Sequence, residues 1–292
     1  MKDLKNNSTY LVSPNSKVAL ENYNTNANLN LSKDEIEKAL QENVEKLSEL
    51  QEVLYASGKH SLLIVFQAMD AAGKDSTIEH VFSGVNPQGV SVASFKQPSA
   101  LELSHDFLWR CNLEVPSRGM IKVFNRSHYE EVLVTRVHPQ YILGQNIPGV
   151  DDVSDIDEMF WNNRFKSITN FEEHLTNNGT HILKFFLNVS LDEQKNRFLD
   201  RINEPEKNWK FSYGDIKERQ LWPKYMEAYE QAISHTSTKE APWYIIPADD
   251  KPSMRLFVSE IIKEVLNDLN LAFPVISAQE IADMEQAKKD LA

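Results

Sequence analysis

Short continuous apolar runs alternate along this chain with longer stretches in which apolar positions recur every three or four residues. Leu62-Leu63-Ile64-Val65-Phe66 is unbroken, the pattern of a strand buried on both faces of a parallel sheet. Further strands are predicted at Val90–Phe95, Met120–Phe124, His181–Leu187 and Trp243–Ile246, separated by helix-like segments. At Ser32-Lys33-Asp34-Glu35 a capping box opens a helix whose Ile36, Leu40, Val44, Leu47 and Leu54 fall at helical spacing. That stripe is broad and has no strict heptad, so the helix is expected to pack on the main domain, with a dimer interface as the alternative. Ser99-Ala100-Leu101-Glu102 and Ser190-Leu191-Asp192-Glu193 repeat the capping pattern, and another helix is expected near Trp161 to Leu175. Strands alternating with helices predict an α/β fold with a doubly wound parallel sheet.

The remaining segments lack such periods. Residues 1–31, rich in Asn and Ser, read as an extended or partly ordered N-terminal arm. Residues 32–270 read as a single domain, with an acidic surface insertion from Tyr141 to Asp157 around Pro148 and Gly149. Between residues 203 and 219 the chain loses its apolar period and gathers Lys207, Lys210, Lys217 and Arg219 around Trp209 and Phe211, the composition of a mobile basic lid. Asp215 is expected to pair with Lys210 or Arg219. Residues 271–292 read as a charged peripheral helix or tail.

With 31 Lys+Arg against 43 Asp+Glu the formal net charge is −12, which argues against a protein that coats nucleic acid. Any polyanion must find a local basic groove. No apolar run approaches the roughly 20 residues that span a bilayer, and the polar start lacks a signal peptide's apolar core, so a cytoplasmic protein without a membrane partner is expected. Cys111 is the only cysteine, which excludes an intrachain disulfide and reads as a small apolar filler.

Candidate chemistry concentrates where strands end. Phe66-Gln67-Ala68-Met69-Asp70-Ala71-Ala72-Gly73-Lys74-Asp75-Ser76-Thr77 runs from the first buried strand into a helix, the context of a P-loop. There, backbone N–H groups cradle phosphate oxygens and a lysine bridges the transferring group. Ala68 stands where the common pattern has its first glycine and Asp75 where it has Ser or Thr, so this is a variant; an ordinary βα turn would also accommodate Gly73. A carboxylate at Asp70 would repel phosphates unless a divalent cation offsets it, which points to metal coordination; a turn-stabilising aspartate is the alternative. After the third strand, Asn125-Arg126-Ser127-His128-Tyr129-Glu130 offers a guanidinium fork for a phosphoryl group and an amide suited to orienting Mg²⁺-bound water. A helix cap at Ser127 with Arg126 on the surface reads the same residues differently. His128 and His138 have no partner at zinc-site spacing and read as surface or core histidines, and no G-x-S-x-G elbow is present.

Several segments in this order resemble one family, the type 2 polyphosphate kinases: Met69-Asp70-Ala71-Ala72-Gly73-Lys74-Asp75, Phe124-Asn125-Arg126-Ser127-His128-Tyr129-Glu130-Glu131-Val132-Leu133, Val137-His138-Pro139, Glu206-Lys207-Asn208-Trp209-Lys210-Phe211 and Ala241-Pro242-Trp243-Tyr244. The resemblance covers most of residues 35–270. It implies a three-layer, thymidylate-kinase-like P-loop kinase fold with a helical, basic lid, Mg²⁺ dependence, and a dimer or tetramer. The implied activity is reversible phosphoryl transfer between inorganic polyphosphate and nucleoside diphosphates, with monophosphates as further acceptors and triphosphates as products. It also implies that the P-loop lies near the acceptor nucleotide. Asp70, Lys74 and Arg126 would carry the transfer, with Asp70 binding Mg²⁺. Ala71, Ala72, Gly73, Asp75, Ser76, Asn125 and Glu130 would bind nucleotide or phosphate, and Lys207, Lys210 and Arg219 of the lid would bind polyphosphate. Lys96, Arg110, Arg118 and Lys122 are further channel candidates. Competing readings are an ATP-dependent nucleoside monophosphate kinase and a non-catalytic NTP-binding module.

Overall fold

The computed structural model describes residues 9–27 and 29–292; residues 1–8 and Asn28 of the expected arm lie outside the described residues. Each predicted strand is present: β1 (Ser61–Gln67), β2 (Val90–Ser94), β3 (Ile121–Asn125), β4 (Thr180–Asn188) and β5 (Trp243–Pro247). They make one sheet in the order β2-β3-β1-β4-β5. Every neighbouring pair is parallel, with Phe66 level with Asn125 and with Phe185. β1 is buried along its whole length, which explains the absence of polar alternation there.

Helices cover both faces. α1 (Lys33–Ser57), α2 (Lys74–Val81) and α11 (Lys251–Asp268) pack together on one side. Short helices α3 (Ala100–Leu103), α4 (Trp109–Asn112), α5 (Val134–Val137) and α6 (Gln140–Leu143) precede α7 (Glu158–Asn177). α7 and α10 (Trp222–Thr236) form the opposite layer, with α5 against α10. α8 (Leu191–Asn203) and α9 (Tyr213–Arg219) lie between β4 and α10, and α12 (Ala278–Leu291) follows α11. The result is a three-layer α/β architecture. No helix among the described residues is long and apolar enough to cross a membrane.

Local signals act where the pattern puts them. Ser32 and Glu35 close the reciprocal capping box of α1, and Ile36, Val44, Leu47 and Leu54 are buried beneath it. At α8 the box is only half formed. Ser190 accepts from the Glu193 N–H, but the Glu193 carboxylate turns to Arg197 instead, at 2.8 Å. The described part of the arm lies along the outer edge of β5: Val12 N–H donates to the Trp243 carbonyl and Ile245 N–H to the Tyr10 carbonyl, both at 2.9 Å. Cys111 is fully buried, and burial pushes its thiol up to about 12. Residues 205–210 form a 3-10 turn before α9, so the segment read as an aperiodic lid is helical; its period is too short to register across a scan.

One buried ionic cluster supports the turn after β3. The Lys184 ammonium, at the centre of β4 and wholly buried, donates to Glu172 on α7 at 2.5 Å, to the Tyr129 hydroxyl at 3.0 Å and to the Thr236 carbonyl at 2.7 Å. Tyr129 also donates its hydroxyl proton to Glu172. Burial lowers the lysine's pKa, and the carboxylate beside it keeps the charge compensated. The residues that follow Arg126 are thereby fixed to two helices and the sheet.

Candidate active site

The carboxyl ends of β1 and β3 lie side by side, and the polar residues that terminate them meet above the sheet, where ligands bind in open parallel folds. From β1 the chain passes through residues 68–73 into α2. Ala71 (φ 62°) and Gly73 (φ 105°) both take left-handed backbone conformations. Alanine reaches this region only at an energetic cost, and a Cβ on Gly73 would meet the Met254 methyl at 3.2 Å. From β3, Arg126 is also left-handed, at φ 63°. Two strained non-glycine residues therefore face one another across the same crevice, a concentration characteristic of functional sites.

The three predicted catalytic side chains are brought together. Arg126 Nη2 donates to Asp70 Oδ1 at 2.9 Å, and Nη1 lies 3.7 Å from Glu130. Burial opposes the guanidinium's charge, and the carboxylates of Glu130 and Asp70 together outweigh it, so its pKa rises. Burial raises the Glu130 carboxyl against the opposing pull of Arg126 and Lys74. Lys74 Nζ donates to the Ala68 carbonyl at 2.9 Å; burial and then Arg126 push its pKa down, an imbalance that a phosphate would reverse. Asn125 donates to Asp75 at 2.6 Å, and Ser127 caps the turn by accepting from the Tyr129 N–H. The Ser127 cap and the placement of Arg126 beside Asp70 thus coexist.

Besides a small cavity of about 160 Å³ lined by Ala68, Asp70, Arg126, Glu130 and His138, two larger cavities flank this cluster. One, of about 670 Å³, is lined by Asp70 to Ser76 together with Lys96, Arg126, Lys207, Lys210 and Lys251. The other, of about 420 Å³, has apolar walls from Phe95, Pro98, Leu103, Val134 and Tyr141, and Glu130 lies at its edge. They share Lys96 and Arg126. The first amides of α2 have no intrahelical partner, so the floor of the larger cavity combines open N–H donors with cations in a protein that is acidic overall.

The other candidates are placed differently, although Arg110 also lines the apolar-walled cavity. Arg219 does not line the larger cavity; it bonds the Leu191 carbonyl at 2.7 Å and Gln194 at 2.8 Å. Asp215 pairs with Arg201 at 3.2 Å rather than with Lys210 or Arg219. Lys122 is held by Glu114, and Arg110 is buried, donating to the Lys96 carbonyl with Glu131 3.7 Å away. Arg118 lines neither cavity. His128 is buried beside Glu172, and His138 contacts Glu218 of α9. The sequence reading missed Gln194 and Arg197, which lie under the loop. All of Arg197's N–H groups are engaged: Nε with Glu193, Nη1 with the Ala71 and Ala72 carbonyls, Nη2 with those of Ala248 and Asp249. Its i,i+4 spacing from Glu193 is also that of an ordinary helix-surface pair, so the sequence carries no distinguishing signal for it.

A five-stranded parallel sheet in this order, with a phosphate loop leading from β1 into α2, defines a P-loop kinase fold. Residues 30–273 match the family described as Polyphosphate kinase 2, and the chain belongs to that family. It is 52% identical over 260 residues to an ADP-polyphosphate phosphotransferase of Rhodopseudomonas palustris, covering 89% of each chain. It is 48% identical over 229 residues to an AMP/ADP-polyphosphate phosphotransferase of Meiothermus ruber, covering 78% of this chain and 80% of that one. The crystal structure of Polyphosphate Kinase 2 from Arthrobacter aurescens superposes with a TM-score of 0.86 at 37% identity, covering 97% of this chain and 98% of the other.

Proposed function

We propose that this protein transfers a phosphoryl group reversibly between inorganic polyphosphate and nucleoside diphosphates, with monophosphates as secondary acceptors, in the cytoplasm. The carrying observation is the concentration of cations in one cavity of an acidic chain. Lys74, Lys96, Arg126, Lys207, Lys210 and Lys251 converge beside the phosphate loop, which suits a polyanionic donor better than a single triphosphate. The adjoining apolar-walled cavity suits a nucleoside. Because Arg126 borders both, the donor's terminal phosphate and the acceptor's phosphate meet at Arg126 and Asp70. The loop is then close to the acceptor as well, as the family resemblance implies.

In the forward direction an oxygen of the acceptor's terminal phosphate attacks the last phosphorus of polyphosphate. The anhydride bond to the next phosphate breaks, and the shortened chain leaves as an oxyanion. The attacking oxygen is already deprotonated, so no general base is required, and the imidazoles of His128 and His138 are each engaged by a carboxylate. Lys74 and Arg126 neutralise charge on the transferring group, the loop amides orient it, and the lid lysines hold the chain and exclude water.

Among the described residues no group of three or more His, Cys, Asp and Glu forms a ready metal cage. Mg²⁺ commonly takes one or two carboxylates and completes its shell with substrate phosphates and water. Asp70 is the residue that would hold it, and when bound the ion offsets charge on the phosphate oxygens.

The direct test supplies purified protein and Mg²⁺ with ADP, GDP or AMP and either polyphosphate or ATP as sole donor. Rapid triphosphate formation from ADP with polyphosphate is expected; product with ATP alone would transfer the assignment to an ordinary nucleotide kinase. Lys210 has no carboxylate partner among the described residues, its ammonium lies 4.9 Å from the Trp209 ring, and both line the larger cavity. Lys210→Ala is therefore expected to raise the KM for polyphosphate several-fold near 0.05 M salt and to have little effect near 1 M, where the Debye length is about 3 Å. An unchanged donor KM at low salt would remove Lys210 from the chain's path.

A further inference from the structure

Three consecutive carbonyls of the phosphate loop, those of Asp70, Ala71 and Ala72, are held by two side chains of α8. Gln194 Nε2 donates to the Asp70 carbonyl at 2.9 Å, and Arg197 Nη1 donates to the other two at 3.1 and 2.7 Å. In a trans peptide the next N–H points opposite to the carbonyl, so the amides of Ala71 and Gly73 face away from α8. Arg197's remaining partners lie on α8 and in the segment between β5 and α11, which makes it a fixed clamp.

Gln194 differs. It is 1% exposed, and its amide is divided between two elements: the nitrogen serves Asp70, and the oxygen accepts from Arg219 at the end of α9, 2.8 Å away. Arg219 also grips the Leu191 carbonyl, at 2.7 Å. A buried amide is costly to leave half-paired. With α9 in place, both ends are satisfied and the Asp70 peptide is fixed. If α9 withdraws, the oxygen loses its charged donor and the amide is free to reorient, loosening the peptide that carries the Asp70 carboxylate.

We propose that Gln194 is a positioning residue that couples α9 to the phosphate loop, so that the loop is set for phosphate only when α9 is docked. This rests on reading the loop as the phosphate site. Arg219 then acts through Gln194 and not by touching the polyphosphate chain, as its sequence context had implied. Such coupling ties transfer to the closed lid and limits loss of the phosphoryl group to water.

A double-mutant cycle tests it without relying on turnover. Calorimetry gives the Kd of tripolyphosphate, and of ADP run in parallel, for wild type, Gln194→Met, Arg219→Gln and the double variant, at two salt concentrations. Each single change is expected to weaken binding about fivefold to tenfold, and the double is expected to be no weaker than the worse single, because the two residues share one path. Arg219→Gln is expected to keep the wild-type salt dependence. Gln194→Glu, which still accepts from Arg219 but offers Asp70 no donor, is expected to bind as weakly as Gln194→Met while melting near wild type. Additive losses with a shallower salt dependence in Arg219→Gln would make Arg219 a direct ligand and overturn the proposal. So would wild-type binding of both ligands by Gln194→Glu. Wild type that binds these ligands and shows the coupling, yet makes no triphosphate from polyphosphate, would sink the kinase reading and leave the coupling standing.

Discussion

Lys74→Ala is expected to lower kcat by about 10³-fold, the scale seen when one preorganised donor to developing charge is removed, while leaving the melting temperature close to wild type. The reason lies in the free protein. Lys74 is 9% exposed, its ammonium donates to the Ala68 carbonyl, and burial followed by the neighbouring Arg126 pushes its pKa down. Its charge is thus poorly compensated until phosphate arrives, and the interaction gained there is concentrated in the bound and reacting states. Removing such a group takes little from the fold, because Ala68 borders the small cavity beside Asp70, from which water can reach its carbonyl. Lys74→Arg is not expected to rescue, since a planar guanidinium does not reproduce the compact ammonium and would set a second guanidinium near Arg126. Rates at saturating polyphosphate and ADP, with thermal melts alongside, make the comparison. Turnover within tenfold of wild type would remove Lys74 from the transfer point.

The accessibility of this site to sequence reasoning follows from where its parts lie along the chain. β1 is apolar from Leu62 to Phe66 because both its faces are covered, so its end and the loop after it are marked locally, and Asp70 and Lys74 are found with it. Arg126 is marked by the end of β3 in the same way. That the two motifs meet depends on β1 and β3 being neighbours, a long-range pairing that no local period encodes; the family resemblance supplied it. Arg219 shows the opposite failure. A basic residue in a basic segment looks like a ligand, but its direction is set by the carbonyl of Leu191 and the amide of Gln194, 28 and 25 residues away. Gln194 and Arg197 stayed hidden because a polar residue on an amphipathic helix reads as solvent-facing unless its partner segment is known. The 3-10 turn and the seven-residue α9 are too short for hydrophobic periodicity to distinguish from loop.

Asp70→Asn is the change that separates two roles the geometry gives to one carboxylate. Asp70 Oδ1 accepts from Arg126, and the two side chains are 29% and 41% exposed, so the pair contributes only about 0–1 kcal/mol to stability and its loss should leave the fold intact. Asparagine keeps an oxygen acceptor of the same shape for Arg126 and removes the negative charge. If Asp70 only steadied the guanidinium, the variant would retain most of its rate at any Mg²⁺ concentration. Under the reading proposed here the charge itself is needed, because the phosphates it faces would otherwise repel a carboxylate with no cation to offset it. The expected result is a loss in kcat of about 10²-fold or more, with the Mg²⁺ concentration for half-maximal rate raised about tenfold. Initial rates over a Mg²⁺ series at fixed polyphosphate and ADP read both quantities. A reduced rate with the wild-type Mg²⁺ response would assign Asp70 to positioning Arg126 and transfer the search for the ion's carboxylate to Asp75, which Asn125 holds at the mouth of the same cavity.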